Sequence, residues 1–141
     1  MLKLITGKNT KGKTRYLINE YLKHPYDISF IGYDDDRIRT LEVKRNVTVE
    51  NYSDSRILSI AELLSRSYRT LFVDEIDSYV HPLDKHILYN ILKELSVDMD
   101  ITAVTHDVQF TSYGDLFYTV DCDDNECVLV DLTEEAYRKL V

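Results

Sequence analysis

The chain has 141 residues, enough for one domain around one core, and its 17 Lys/Arg against 25 Asp/Glu give a formal net charge of −8. No apolar run approaches the roughly 18 residues of a membrane span, and the N-terminus lacks the apolar core of a secretory signal, so a cytoplasmic location away from membranes is expected. Charge is uneven: residues 1–70 hold 13 Lys/Arg against 9 Asp/Glu, whereas residues 71–141 hold 4 against 16. A sequence-independent grip on nucleic acid needs a basic face, which only the first half can offer, through Lys8, Lys11, Arg15, Arg37, Arg39, Lys44 and Arg45. Service to a nucleotide or a solvated surface accounts for the same residues, so DNA is admitted as a partner but not indicated by net charge.

Leu2, Leu4 and Ile5 predict a first strand. It leads into Gly7-Lys8-Asn9-Thr10-Lys11-Gly12-Lys13-Thr14, which fits the Walker A pattern G-x-x-x-x-G-K-[ST] without a mismatch. The glycines let consecutive backbone N–H groups turn inward around a polyphosphate, which the first turn of the following helix then caps. Lys13 would reach the β- and γ-phosphates, and the Thr14 hydroxyl would ligate Mg²⁺. Leu17, Ile18, Tyr21 and Leu22 recur at helical spacing up to Lys23, and His24-Pro25 ends that helix.

Residues 27–33 predict a second strand through Ile28, Phe30 and Ile31, and residues 46–51 a third, with Val47 and Val49 in alternation. Between them Asp34-Asp35-Asp36 reads as a turn opening a short helix rather than a set of metal ligands. Ser53 or Asp54 can cap a helix through Ile57, Leu58, Ile60, Ala61, Leu63 and Leu64. Thr70 to Val73 form an apolar strand that delivers Asp74 and Glu75 at its end. In a parallel sheet with crossover helices, strand ends gather at one edge, so Asp74 can lie beside Thr14 and hold the Mg²⁺ shell. Glu75, one residue on, is placed to orient or deprotonate an attacking water.

His81-Pro82 opens a further helix with Ile87, Leu88, Ile91, Leu92 and Leu95 as its buried stripe. Asp98-Met99-Asp100 is a polar turn, residues 101–105 a strand, and His106 at its end again faces the nucleotide edge. Residues 117–120 and 128–132 predict a hairpin around an acidic turn, and residues 133–140 a closing helix. Cys122 and Cys127 flank that turn and can face each other; the expectation is two reduced, structural thiols, because nothing marks the chain as secreted and two thiols make no zinc site. The fold class is therefore α/β, a P-loop NTPase in one domain over 1–141, with a mainly parallel sheet flanked by helices and a C-terminal antiparallel hairpin.

Three stretches in order, Gly7 to Thr14, Asp74 to Pro82 and Val104-Thr105-His106-Asp107, resemble the ABC-class ATPase heads, above all the branch of OLD-type nucleases and SMC-like proteins. The resemblance implies that Lys13 and Thr14 bind phosphate and Mg²⁺, that Asp74 supports the metal, that Glu75 is the general base and that His106 senses the γ-phosphate. It also implies ATP-dependent association, with a protein partner or as a homodimer. Residues 24–52 leave no space for that family's helical lobe, and in Ser53-Asp54-Ser55 a serine stands where its signature segment has glycine. The expected function is an Mg²⁺-dependent ATPase whose cycle regulates a partner protein or DNA. The alternatives are a nucleotide-dependent interaction module with little hydrolysis and a small P-loop kinase, although no arginine-rich lid supports the kinase. No stretch encodes a choice between ATP and GTP.

Overall fold

The computed structural model describes residues 1–7, 10–24, 27–32, 49–51, 69–75, 77 and 80–141. Lys8, Asn9, the Asp34 to Asp36 run, Arg37, Arg39, Lys44, Arg45 and the expected helix after Ser53, with its degenerate signature segment, lie outside them. Among the described residues seven strands form one sheet: β1 Leu2–Ile5, β2 Ile28–Gly32, β3 Val49–Asn51, β4 Thr70–Asp74, β5 Asp100–Val104, β6 Leu116–Cys122 and β7 Cys127–Leu132. Their order is β3-β2-β4-β5-β1-β6-β7. Every pairing is parallel except β6 with β7, the antiparallel hairpin expected at the C-terminus. The described helices are α1 Thr10–Lys23, α2 Lys85–Leu95, led by a 3-10 turn at Pro82–Asp84, and α3 Glu134–Leu140.

Period-two alternation divides the strands between two apolar layers. On one face Ile5, Ile28, Phe30, Phe72 and Val104 pack against Leu17 and Tyr21 of α1. On the other, Leu2, Leu4, Leu71, Val73, Ile101 and Ala103 pack against Leu88, Tyr89 and Leu92 of α2 and Tyr137 of α3. Because β1, β4 and β5 are covered on both faces, they read as near-continuous apolar runs, as buried parallel strands do.

Several expected details are corrected. The stripe of α2 buries Leu88, Tyr89 and Leu92, while Ile87 is exposed; the Tyr89 ring takes the inward position by stacking on Phe110, 4.2 Å between centroids, from a 3-10 turn over Val108–Tyr113. Leu22 likewise ends on the outside of α1. Asp100 belongs to β5 rather than to the preceding turn, since it pairs with Thr70, and Thr105 lies beyond that strand's end. Thr133 is not in the last helix but caps it, its hydroxyl accepting from the Ala136 N–H at 3.1 Å. The cysteines are not free thiols: a disulfide joins Cys122 to Cys127. The hairpin register sets them directly opposite one another, as their positions flanking the turn allow, with Cα atoms 4.0 Å apart.

Asp115 ties the start of β1 to two neighbours: its carboxylate accepts from the Leu2 N–H and from Lys93 Nζ, each at 2.8 Å. The Leu2 hydrogen bond, then that of Lys93, holds its carboxyl below the usual carboxylate range. A depressed acid stabilises the fold above its unfolded pKa and loses that contribution as pH falls through the folded value. Asp115→Asn is therefore expected to cost about 1 kcal/mol near neutrality, the scale of one partly exposed charge-assisted hydrogen bond. In urea unfolding the gap from wild type narrows below pH 4, and a pH-independent gap contradicts this account.

Candidate functional site

Register places the candidate residues at one edge of the sheet. Ile5 and Asp74 both align with Val104 of the intervening β5, so the segments after β1, β4 and β5 emerge side by side at the C-terminal edge. That edge is where ligands bind in open α/β sheets. Gly7 leaves β1 with φ 155°, and a Cβ there would meet Thr119 Oγ1 at 3.0 Å, so both backbone and space favour glycine. Helix α1 starts three residues later, and Thr10 and Lys11 form the backbone of its first turn, its N–H groups directed back toward the edge.

Lys13 is only 1% exposed, and its ammonium donates to the Gly7 carbonyl at 2.6 Å, closing the loop on itself. Burial pushes its pKa below the usual lysine value, while the nearby Glu75 and Asp74 carboxylates pull it back up. The Thr14 hydroxyl donates to Asp74 Oδ2 at 2.8 Å, joining α1 to the end of β4 across 60 positions of sequence.

Glu75 is the described non-glycine residue with positive φ, 55°. That conformation costs on the order of 1 kcal/mol for a residue with a Cβ. Here it bends the chain sharply at the end of β4 while the Glu75 N–H still donates to the Val104 carbonyl at 2.9 Å. The bend brings Glu75 Oε1 to 2.6 Å from His106 Nε2. A carboxylate only accepts, so Nε2 carries the hydrogen of this bond. Lys13 Nζ, 3.4 Å from the same nitrogen, is then a neighbouring charge rather than a donor to it. Both side chains retain solvent access, 26% for Glu75 and 40% for His106.

The structure thus brings Gly7, Lys13, Thr14, Asp74, Glu75 and His106 together and sets Gly12 in the first turn of α1. Three polar residues that lie in the marked stretches, but to which the sequence gives no role, adjoin them. Thr105 and Asp77 are 0% and 4% exposed, and the Thr105 hydroxyl donates to Asp77 Oδ2 at 2.5 Å. Burial raises the Asp77 pKa, with the Thr105 bond opposing the shift. Asp107 accepts from Tyr89 and from the Gln109 N–H, and Lys85 Nζ lies 3.5 Å from it. A cavity of about 310 Å³ opens among Asp77, Lys85, His106 and Asp107. Their position, two residues past Glu75 and on either side of His106, was the signal available in the sequence.

The donors suit a magnesium nucleotide. A hydroxyl and a carboxylate are hard oxygen ligands, and Mg²⁺ commonly takes one or two such protein groups beside waters and phosphate oxygens. Among the described residues no group of three or more His, Cys, Asp or Glu side chains is placed to hold a metal ion. Among the same residues no helix is long and apolar enough to cross a membrane.

No protein-family profile matches the chain, and no curated protein does. Among solved structures it is similar to an Smc head domain with a coiled coil and joint derived from Pyrococcus yayanosii, at 20% identity and a TM-score of 0.45, over 59% of this chain and 16% of that one. It is similar also to an SMC head domain from Thermotoga maritima, at 21% identity and a TM-score of 0.39, over 47% of this chain and 25% of that one. A third is an SmcHead bound to the C-winged helix domain of ScpA, at 17% identity and a TM-score of 0.42, over 52% and 23%. The chain spans a quarter or less of the length of these three.

Proposed function

We propose that this chain binds a nucleoside triphosphate with Mg²⁺, hydrolyses it, and uses the cycle to control association with a protein partner or a second copy of itself. The observation that carries the proposal is the contact of Thr14 with Asp74 beside the buried Lys13, by which two adjacent residues of α1 meet a carboxylate 60 positions on at the strand-end edge. The glycine-bounded loop and the N-terminus of α1 would hold the phosphates, and Lys13 would exchange its Gly7 contact for the β- and γ-phosphates. Thr14 and Asp74 would hold the Mg²⁺, which when bound neutralises phosphate charge. Glu75 would take the proton of the attacking water, and His106, hydrogen-bonded to it, would be the residue that registers the γ-phosphate. A protein partner is favoured over DNA because residues 71–141, which supply Asp74, Glu75 and His106, carry 16 acids against 4 basic residues.

A second reading, a nucleotide-gated interaction module with little hydrolysis, is favoured by one contact: the Glu75 carboxylate already accepts from His106. Phosphate release under single-turnover conditions decides between them. Release that needs Mg²⁺ and stops with EDTA is the expected result; bound nucleotide without release supports the module, and neither binding nor release removes both. The oligomeric state with and without a nonhydrolysable analogue then tests the association.

A further inference from the structure

Glu75 and His106 both stand where the sheet ladder has ended. The last ladder pair is Asp74 with Val104, and beyond it, among the described residues, the Glu75 N–H bond to the Val104 carbonyl joins the two segments. The next links are made by side chains. Asp77, two residues after Glu75, accepts from Thr105, the residue before His106. The Thr105 oxygen also accepts from the Asp107 N–H at 3.0 Å, so one hydroxyl pins the residues on both sides of His106. Asp107 in turn is anchored to α2 through Tyr89 and Lys85.

Burying a carboxyl and a hydroxyl together is a poor route to stability, because an apolar pair of the same shape avoids the desolvation of both. Directional bonds fix geometry where apolar packing would tolerate sliding. We propose that the Asp77–Thr105 pair, extended through Asp107 to Tyr89 and Lys85, is a positioning device that holds Glu75 and His106 in register with each other. It rests on the site being a nucleotide-hydrolysing one. None of its members touches the reacting atoms; each acts through Glu75 or His106.

Thr105→Val keeps the shape of the side chain and removes both its donor and its acceptor, whereas Thr105→Ser keeps the hydroxyl. Thr105→Val is expected to lower kcat for ATP about tenfold, with KM within twofold, and Thr105→Ser to stay near wild type. Imidazole ¹H–¹⁵N spectra supply a readout that does not depend on turnover: the Nε2–H signal of His106 bonded to Glu75 persists in wild type and Thr105→Ser and is lost or averaged in Thr105→Val. Should Thr105→Val not fold, Tyr89→Phe, which keeps the ring packed and frees Asp107, gives the same pattern with a loss of about threefold. A folded Thr105→Val with wild-type kcat and an unchanged His106 signal overturns the proposal, as does a loss that serine fails to restore. If wild type releases no phosphate, the hydrolytic reading fails, while the His106 signal still decides whether Thr105 positions it.

Discussion

Lys13→Ala is expected to abolish nucleotide binding, weakening affinity at least about a hundredfold, the scale of a charge-assisted bond to a phosphate in a desolvated site. Among the described side chains the site offers few other positive charges. Lys8 lies outside the described residues, and Arg15 points to the hairpin, donating to the carbonyls of Asp123 and Asp124 at 2.8 and 3.3 Å. Lys13 is thus the described ammonium among Asp74, Glu75 and His106, and without it a polyphosphate would meet two carboxylates uncompensated. Folding should survive, because alanine also relieves the burial that already disfavours the charged lysine. Titration with a fluorescent ATP analogue, with far-UV circular dichroism as the check on folding, measures this. Unchanged affinity in a folded variant would remove the phosphate-loop assignment.

Glu75→Gln should separate binding from chemistry. Glutamine keeps an oxygen to accept from His106 but cannot take a proton from water, so ATP affinity stays nearly intact while turnover falls about a hundredfold or more. The neighbouring Asp74 behaves differently, because its partner is Thr14, and Asp74→Asn is expected to weaken Mg²⁺-dependent binding itself. Equal loss of binding in both variants would place both carboxylates in the metal shell. A wild type no faster than Glu75→Gln, with nucleotide bound in each, would leave the chain a nucleotide-gated module and Glu75 an acid at a strand end.

The parts of this site that were legible in sequence are those whose signal is local. A glycine-bounded loop between an apolar strand and a helical stripe, an apolar strand ending in two acids, and a histidine at a strand end each announce themselves within about ten residues. Their meeting was expected from the parallel architecture, and the placement of β5 between β1 and β4 gives that meeting its geometry. What local patterns do not encode is the partner of a buried polar group. Asp77 and Thr105 lie inside stretches that the sequence marks, yet neither has a role of its own until the segments after β4 and β5 are laid side by side, where each becomes the other's hydrogen-bond partner. The stripe of α2 differs from its apolar pattern for a related reason: Tyr89 ranks below Ile87 in hydropathy, yet it is the tyrosine that finds Phe110 and Asp107. For Cys122 and Cys127 the facing positions are legible in sequence, whereas the covalent bond between them is not.

The proposed function requires that Gly7, Gly12, Lys13, Thr14 and Asp74 form one magnesium-nucleotide site. Backbone amide spectra of the ¹⁵N-labelled wild-type chain, recorded while Mg²⁺ and a nonhydrolysable ATP analogue are titrated in, test it most directly. Saturable shifts centred on the amides of Gly7, Gly12, Lys13 and Thr14, spreading to Asp74 and Glu75 and weakened when Mg²⁺ is chelated, are the predicted result. Saturable shifts confined to another face of the sheet, or none at millimolar nucleotide in a folded protein, would contradict it.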